Sequence, residues 1–285
     1  MNVLQLLGTI EIGLIYALVA IGVYITFRVI DFPDLTVDGS FTSGAAVATV
    51  MIASGYNPWI ATIVAIITGS FAGMVTGYLN VKWDILGLLA GILTMTALYS
   101  INLRIMQRPN IAIMDEPTIF INDNIISLTL VIVIITALLL TRFFSSEYGL
   151  AIRSIGINPK VSKSYGIKVG KMKIIALMFS NAFVALAGAL FAQSQGFADI
   201  SMGNGTIIIG LASVIIGETI FLNPKKIFLA LIACVIGSIL YRIAIAFALN
   251  AHGIGLEVYD LNLITAIIVA FTMILPKLKK NWGAK

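Results

Sequence analysis

Few residues in this chain could perform covalent chemistry, and none are grouped for it. His252 is the one histidine and Cys234 the one cysteine, so neither a metal-ligand cluster nor a thiol–imidazole pair can be assembled. No GxxxxGK[ST] phosphate loop occurs, so ATP has no ordinary binding site here and no cofactor is expected in this chain. What remains are residues suited to docking, capping and solute contact. The richest group is Gly149-Leu-Ala-Ile-Arg153-Ser-Ile-Gly156-Ile-Asn158-Pro159-Lys-Val-Ser-Lys-Ser164-Tyr-Gly166-Ile167. Asn158 can cap a helix that opens with Pro159, because its side-chain oxygen can accept from free first-turn N–H groups and proline lacks the N–H that would go unpaired. Gly166 can close that helix in the left-handed conformation. A short helix fixed at both ends between two apolar segments makes a docking knob for a soluble partner. Gly156, Asn158, Pro159, Gly166 and Ile167 are its boundary residues, and Arg153 and Ser164 its contacts.

A second group is ionisable residues next to or within apolar runs, where charge is costly and calls for a reason. Asp34 and Asp38 precede or open one such run and are expected near the inner face, one of them capping the helix that follows. Glu218 is also expected near the inner face. Glu11 and Arg242 lie inside runs and are candidates for a pair. Uncharged polar residues form a third group. Thr94, Asn102, Asn181, Gln193 and Gln195, with Asp34, Asp38 and Glu218, are candidates for a pathway or gate, although bonding between helices would equally employ them.

The elements that must position these residues are membrane spans. The 285 residues are 59% hydrophobic and 11% charged, against about 25% charged in soluble domains, so this chain cannot wet a soluble surface. Gly39–Val81 holds no Lys, Arg, Asp or Glu over 43 residues. The pattern predicts an all-α polytopic protein, one transmembrane domain over 1–285. About nine spans are expected, at 7–27, 37–54, 58–79, 85–103, 125–141, 174–195, 204–222, 227–249 and 261–276, with eight or ten within reach. The first is read as a retained span, since no basic region precedes it.

The segment 142–173 carries Arg142, Arg153, Lys160, Lys163, Lys168, Lys171 and Lys173 against Glu147 alone. Positive residues mark the cytoplasmic side, which places this loop inside, the N-terminus outside and the C-terminus inside. The net charge of +5 is then a topology signal and not a nucleic-acid footprint. An internal echo links Asp34-Leu-Thr-Val-Asp-Gly-Ser40 with Asp199-Ile-Ser-Met-Gly-Asn-Gly205, each running into a small-residue helix. In this topology one copy falls at the inner face and the other at the outer face, the arrangement of inverted repeats.

The stretch Gly149–Phe221 resembles the ribose and branched-chain amino acid group of ABC permeases. The match rests on Gly149, Gly156, Asn158, Pro159, Gly166 and Ile167, then Ala185-Leu-Ala-Gly-Ala189 and a glycine-rich segment ending at Gly217. Gly217-Glu218-Thr219 departs from the family's frequent Gly-Gly-Thr. The resemblance implies a coupling helix at the inner loop, a pair of permease chains, two cytoplasmic ATPase subunits holding ATP and Mg, and an extracytoplasmic solute-binding protein. It implies a chain in the cell membrane that catalyses nothing itself. An amino acid, hydrophobic or aromatic, is the leading substrate, with a sugar or nucleoside as the alternative. An ion-driven secondary carrier is the rival mechanism, and it would leave the docking segment without a use.

Overall fold

The charge-free runs become long helices whose small residues face one another. The structure, a computed structural model, describes residues 2–120, 124–221, 226–249 and, further on, 263, 265–267, 269–271 and 274. Ten α-helices follow in order among them: α1 (Val3–Tyr24), continued by a π-helical turn (Ile25–Val29), α2 (Thr36–Ala53), α3 (Pro58–Trp83), α4 (Gly87–Met106), α5 (Ile125–Phe144), α6 (Glu147–Ile157), α7 (Pro159–Ser164), α8 (Val169–Gln195), α9 (Thr206–Ile220) and α10 (Ile227–Leu249). Two three-residue strands, β1 (Asn110–Ala112) and β2 (Phe197–Asp199), pair antiparallel. Among the described residues six helices are long and apolar enough to cross a bilayer: α1 with its π turn, α3, α4, α5, α8 and α10. The described residues of the expected span 261–276 are helical, and the rest of that span lies outside the described residues, as do His252 and Trp282.

Two expected spans, α2 and α9, fall outside these six. α9 has 15 residues, a rise of about 22 Å against a hydrocarbon core of about 30 Å. α2 is 18 residues long but carries Thr36, Asp38, Ser40, Thr42, Ser43 and Thr49, and it is not among the six apolar helices. Counting charge-free residues measures length, and it is blind to where in depth a helix begins.

α8 is the hub. The glycines Gly69, Gly73 and Gly77 place one face of α3 directly on the α8 backbone at Asn181, Leu177 and Ile174, so the two helices run antiparallel. α2 lies on the opposite course, parallel to α8. Gly44 sits on Ala185, and Gly188 sits on Phe41 and Ala45, at separations no larger side chain would allow. α1 returns antiparallel to α8, with Gly22 on Ser180 and Val184 and the Tyr16 ring 5.8 Å from that of Phe191. α9 runs parallel to α1 and α10 runs against it, with Gly210 on Val19 and Val23 and Gly13 on Ile239. In lipid such small-residue contacts, together with hydrogen bonds, supply the attraction that the hydrophobic effect supplies in water.

A junction inside the bundle and an elbow outside it

Asp34 lies fully buried just before α2. Its Oδ1 accepts from the Thr36 N–H at 2.9 Å, which caps the first turn, and its Oδ2 accepts from Asn181 Nδ2 at 2.7 Å. Asn181, at the middle of α8, accepts in turn from Ser40 Oγ at 2.6 Å. Asp38 caps a different helix. Its two carboxylate oxygens accept from the N–H groups of Gly205 (2.9 Å) and Ile207 (2.8 Å), the start of α9. Gly203 rests on the Asp38 backbone and its N–H donates to Thr42 Oγ1 at 3.1 Å. Thus α2 and α9 begin beside each other within the bundle and run apart in opposite directions. The expectation that Asp34 and Asp38 lie at the inner face is corrected: the starts of α2 and α9 share one level near the middle of α8, while Asp199 lies past the last turn of α8, in β2. A pair of acids there is tolerable because helix N-termini carry partial positive charge and offer unpaired N–H groups.

A ladder of hydrogen bonds extends from this junction. Thr36 Oγ1 meets Thr76 Oγ1 at 2.6 Å, and Thr76 meets Thr94 Oγ1 at 2.9 Å, joining α2, α3 and α4. Ser43 Oγ donates to Asn102 Oδ1 at 2.8 Å. Gln193 Nε2 donates to Thr62 Oγ1 at 2.9 Å, while its Oε1 accepts from the Ile119 N–H at 3.2 Å. Asp34, Thr94, Asn102, Asn181 and Gln193 are all at most 4% exposed. Their polar atoms tie helices together. Asp38 is half-buried, and with Thr42, Thr96, Tyr99, Asn102 and Asn204 it lines a cavity of about 160 Å³. Gln195 is also half-buried, at the end of α8 beside Gln193, in a separate cavity of about 470 Å³ that includes Glu116.

At the far end of α9, Glu218 forms an ion pair with Arg28 of the π turn. Glu218 was expected near the inner face; its partner Arg28 stands 190 residues earlier, and no local pattern joins residues this far apart. Arg242 packs over the Tyr16 ring, 4.0 Å from its centroid, and Glu11 lies on the same α1 that α10 packs against. The Asp199 turn repeats the Asp34 turn in miniature. Asp199 Oδ1 accepts from the Ser201 hydroxyl at 2.5 Å and its N–H at 2.8 Å. These donors hold its carboxyl below the usual carboxylate value.

The segment 142–173 folds as an elbow of two helices. Ser146 caps α6 and Asn158 caps α7, its Oδ1 accepting from the N–H groups of Lys160 and Val161 at 3.1 Å each. Pro159 takes the first helical position and Gly166 turns out at φ +80°, as the sequence predicts. Gly156 requires a correction. It does not bound the short helix but lies in the last turn of α6, pressed on the Val29 carbonyl, where any side chain would collide. The elbow is thereby seated on the π turn that bears Arg28. Ser162 Oγ donates to Ser154 Oγ at 3.0 Å and locks α7 to α6. Arg153 is half-buried on α6, Ser164 is exposed, and Ile167 is half-buried where the chain turns into α8. Three apolar side chains point to water, Ile157 (87% exposed), Val161 (48%) and Tyr165 (83%), each four residues from the next.

The described residues thus form a bundle of apolar helices with a polar junction where two shorter helices start and a basic elbow of two further helices. The chain belongs to the family of branched-chain amino acid transport system permease components, whose sequence profile matches residues 5–275, and it is an ABC transporter permease subunit. It is 44% identical over 260 residues to a tyrosine transport system permease protein of Clostridioides difficile (strain R20291), covering 90% of this chain and 86% of that one. An uncharacterized protein of Rickettsia prowazekii (strain Madrid E) is 36% identical over 282 residues, covering 96% and 97%. A guanosine ABC transporter permease protein of Bacillus subtilis (strain 168) is 34% identical over 77 residues, about a quarter of each chain. Among solved structures, an ABC transporter of the metal-chelate type in an inward-facing conformation aligns with a TM-score of 0.50 at 16% identity, over 96% of this chain and 85% of that one. That likeness concerns the fold.

Proposed function

We propose that this permease imports an aromatic amino acid, tyrosine or a close analogue, delivered by an extracytoplasmic binding protein and driven by a separate pair of ATPase subunits. The elbow carries this reading. α7 is capped by Asn158, stopped by Gly166 and pinned to α6, so a push on its exposed Ile157–Val161–Tyr165 stripe passes through Gly156 to the π turn and on to α9 through Arg28–Glu218. Arg153, Asn158, Pro159 and Ser164 lie on or beside the surface the ATPase would grip. Two permease chains form the complex, since each provides one elbow and ATPases of this type work in pairs. The elbow faces the cytoplasm and the N-terminus lies outside, following the lysine distribution. α2 and α9 are counterparts in two inverted halves. Their starting turns, Asp34 to Thr36 and Asp199 to Ser201, share one hydrogen-bond pattern, and the helices run in opposite senses. Among the candidate pathway residues, Asp38 and the cavity beside it, Gln195, and Glu218 as an inner gate have open faces, while Asp34, Thr94, Asn102, Asn181 and Gln193 hold that frame. Tyrosine is favoured by the Clostridioides relative.

The test is reconstitution of this chain with its ATPase and binding protein in vesicles, followed by uptake of labelled tyrosine, leucine and guanosine. ATP-dependent uptake led by tyrosine is expected. Uptake that persists without ATP but collapses with the ion gradient would overturn the mechanism. Preference for guanosine would replace the substrate and leave the mechanism standing.

A further inference from the structure

Between the elbow and the α3–α4 turn runs a groove of about 730 Å³ whose wall carries Lys160 and Lys163 of α7, Lys168 of the linker and Lys173 of α8, facing Asp84 as the single acid of the lining. Excess positive charge at an inner loop would explain four lysines spread over the surface. It does not explain four, from three segments, converging on one cavity, where like charges raise one another's energy unless an anion joins them. α8 opens into the same groove at Val169 and Gly170; the Val169 N–H donates to the Ile167 carbonyl, but no side chain caps the first turn, so the positive end of the helix dipole adds to the field. The groove also sits at headgroup depth. The neighbouring end of α3 presents Trp83 (65% exposed) and Tyr78 (44%), with Lys82 near both rings, the residue types that anchor a helix at a membrane–water boundary. Lastly, it lies on the other side of α7 from the apolar stripe. Val161 and Tyr165 are absent from its lining, which meets the ATPase-facing residues only at Pro159, so a partner gripping that stripe leaves the lysines of the groove to the bilayer.

We propose that this groove binds the phosphodiester headgroup of an anionic phospholipid, with Lys163 and Lys168 as its principal contacts, and that the lipid wedges the elbow against the α3–α4 turn. Basic pockets between spanning helices are the general form of such sites. The proposal holds whichever way the chain faces, and it does not depend on what is transported.

The experiment is native mass spectrometry of the full permease, purified in a nonionic detergent and titrated with phosphatidylglycerol or, separately, phosphatidylcholine. One saturable phosphatidylglycerol adduct is expected, with no matching phosphatidylcholine adduct. Lys163→Gln/Lys168→Gln should weaken it roughly thirty-fold, while Lys171→Gln, one turn away and outside the groove, should leave it unchanged. Lys163→Arg/Lys168→Arg should retain it, which separates charge from misfolding. Equal adducts in the glutamine variant and the parent would overturn the proposal. So would displacement of the lipid by millimolar inorganic phosphate, which would make the groove a site for soluble anions.

Discussion

The junction around Asp34 and Asp38 and the elbow around Asn158 use one device, a side-chain oxygen on the free N–H groups of a helix start, in opposite surroundings. At the junction the acceptors are carboxylates set inside the bundle, and three of their four donors lie 147, 167 and 169 residues away along the chain. At the elbow the acceptor is a neutral amide, open to water, and its donors are two and three residues away. Water can replace a lost partner at the elbow and cannot at the junction. The same lost bond should therefore disturb the whole fold in one place and only the stiffness of a contact in the other. The apolar solvent of the membrane sharpens the contrast, since nothing there solvates an abandoned acceptor.

Four variants test that contrast, in falling order of effect. Gly44→Leu should be the most damaging, because its side chain would drive α2 off the α8 backbone at Ala185. Overpacking typically costs 1–3 kcal/mol, and this backbone-to-backbone site should lie at or above the upper end, about 3 kcal/mol or more. The yield of monodisperse protein in detergent should collapse, and a normal elution profile would refute the close α2–α8 approach. Asn181→Leu keeps the volume but strips Asp34 Oδ2 and Ser40 Oγ of their partner. A destabilisation of about 3 kcal/mol is expected, since a buried carboxyl and a buried hydroxyl have both lost their partner. Adding Asp34→Leu should recover part of the lost melting temperature, and additive losses would show that the two residues are not coupled.

Asn158→Ala with Gly166→Val should behave differently. An N-cap contributes about 1 kcal/mol, too little to unfold this bundle. Melting temperature should fall by no more than a few degrees, while ATPase retention and uptake per ATP drop several-fold. Wild-type values in both assays would mean that the elbow transmits nothing. The smallest effect concerns pH. Asp199 is held below its ordinary value of 3.8 when folded, so its contribution is present above that value and fades as pH falls through the lower folded value. Hydrogen exchange at the Ser201 amide should quicken below about pH 4 relative to the intrinsic rate. Asp199→Asn should abolish that step, and a step that survives the substitution belongs to another group.

The same division decides what the sequence revealed. The elbow was legible residue by residue because its causes are local: an Asn-Pro start, a glycine stop and charge on one side. That Asp34 or Asp38 caps α2 was legible for the same reason. Asp34 is the one that does, and the partners of Asp38 lie 167 and 169 residues away at Gly205 and Ile207. The level along α8 at which α2 and α9 begin follows from that contact, so it was hidden by the same distance. Gly156 was misread as a boundary because its role is set by Val29, which sequence spacing cannot bring near. Thr94, Asn102, Asn181 and Gln193 were found as polar residues in apolar runs, and only their partners distinguish a tie between helices from an open wall.

The separation between Asp34 and its donors also has a meaning in time. α2 leaves the ribosome among the first helices, yet Asn181 comes 147 residues later and Gly205 follows 167 residues after Asp38. At roughly 5–20 residues per second, α2 waits about 7 to 35 s for them. An aspartate at the centre of an inserted helix costs roughly 2.5 to 3.5 kcal/mol, and α2 would bring in one such residue and a second beside it. The newborn helix therefore has nowhere comfortable to go until α8 and α9 exist. A chain cut short before residue 181 would lack both the Asn181 amide and the α9 N–H groups that hold these two acids.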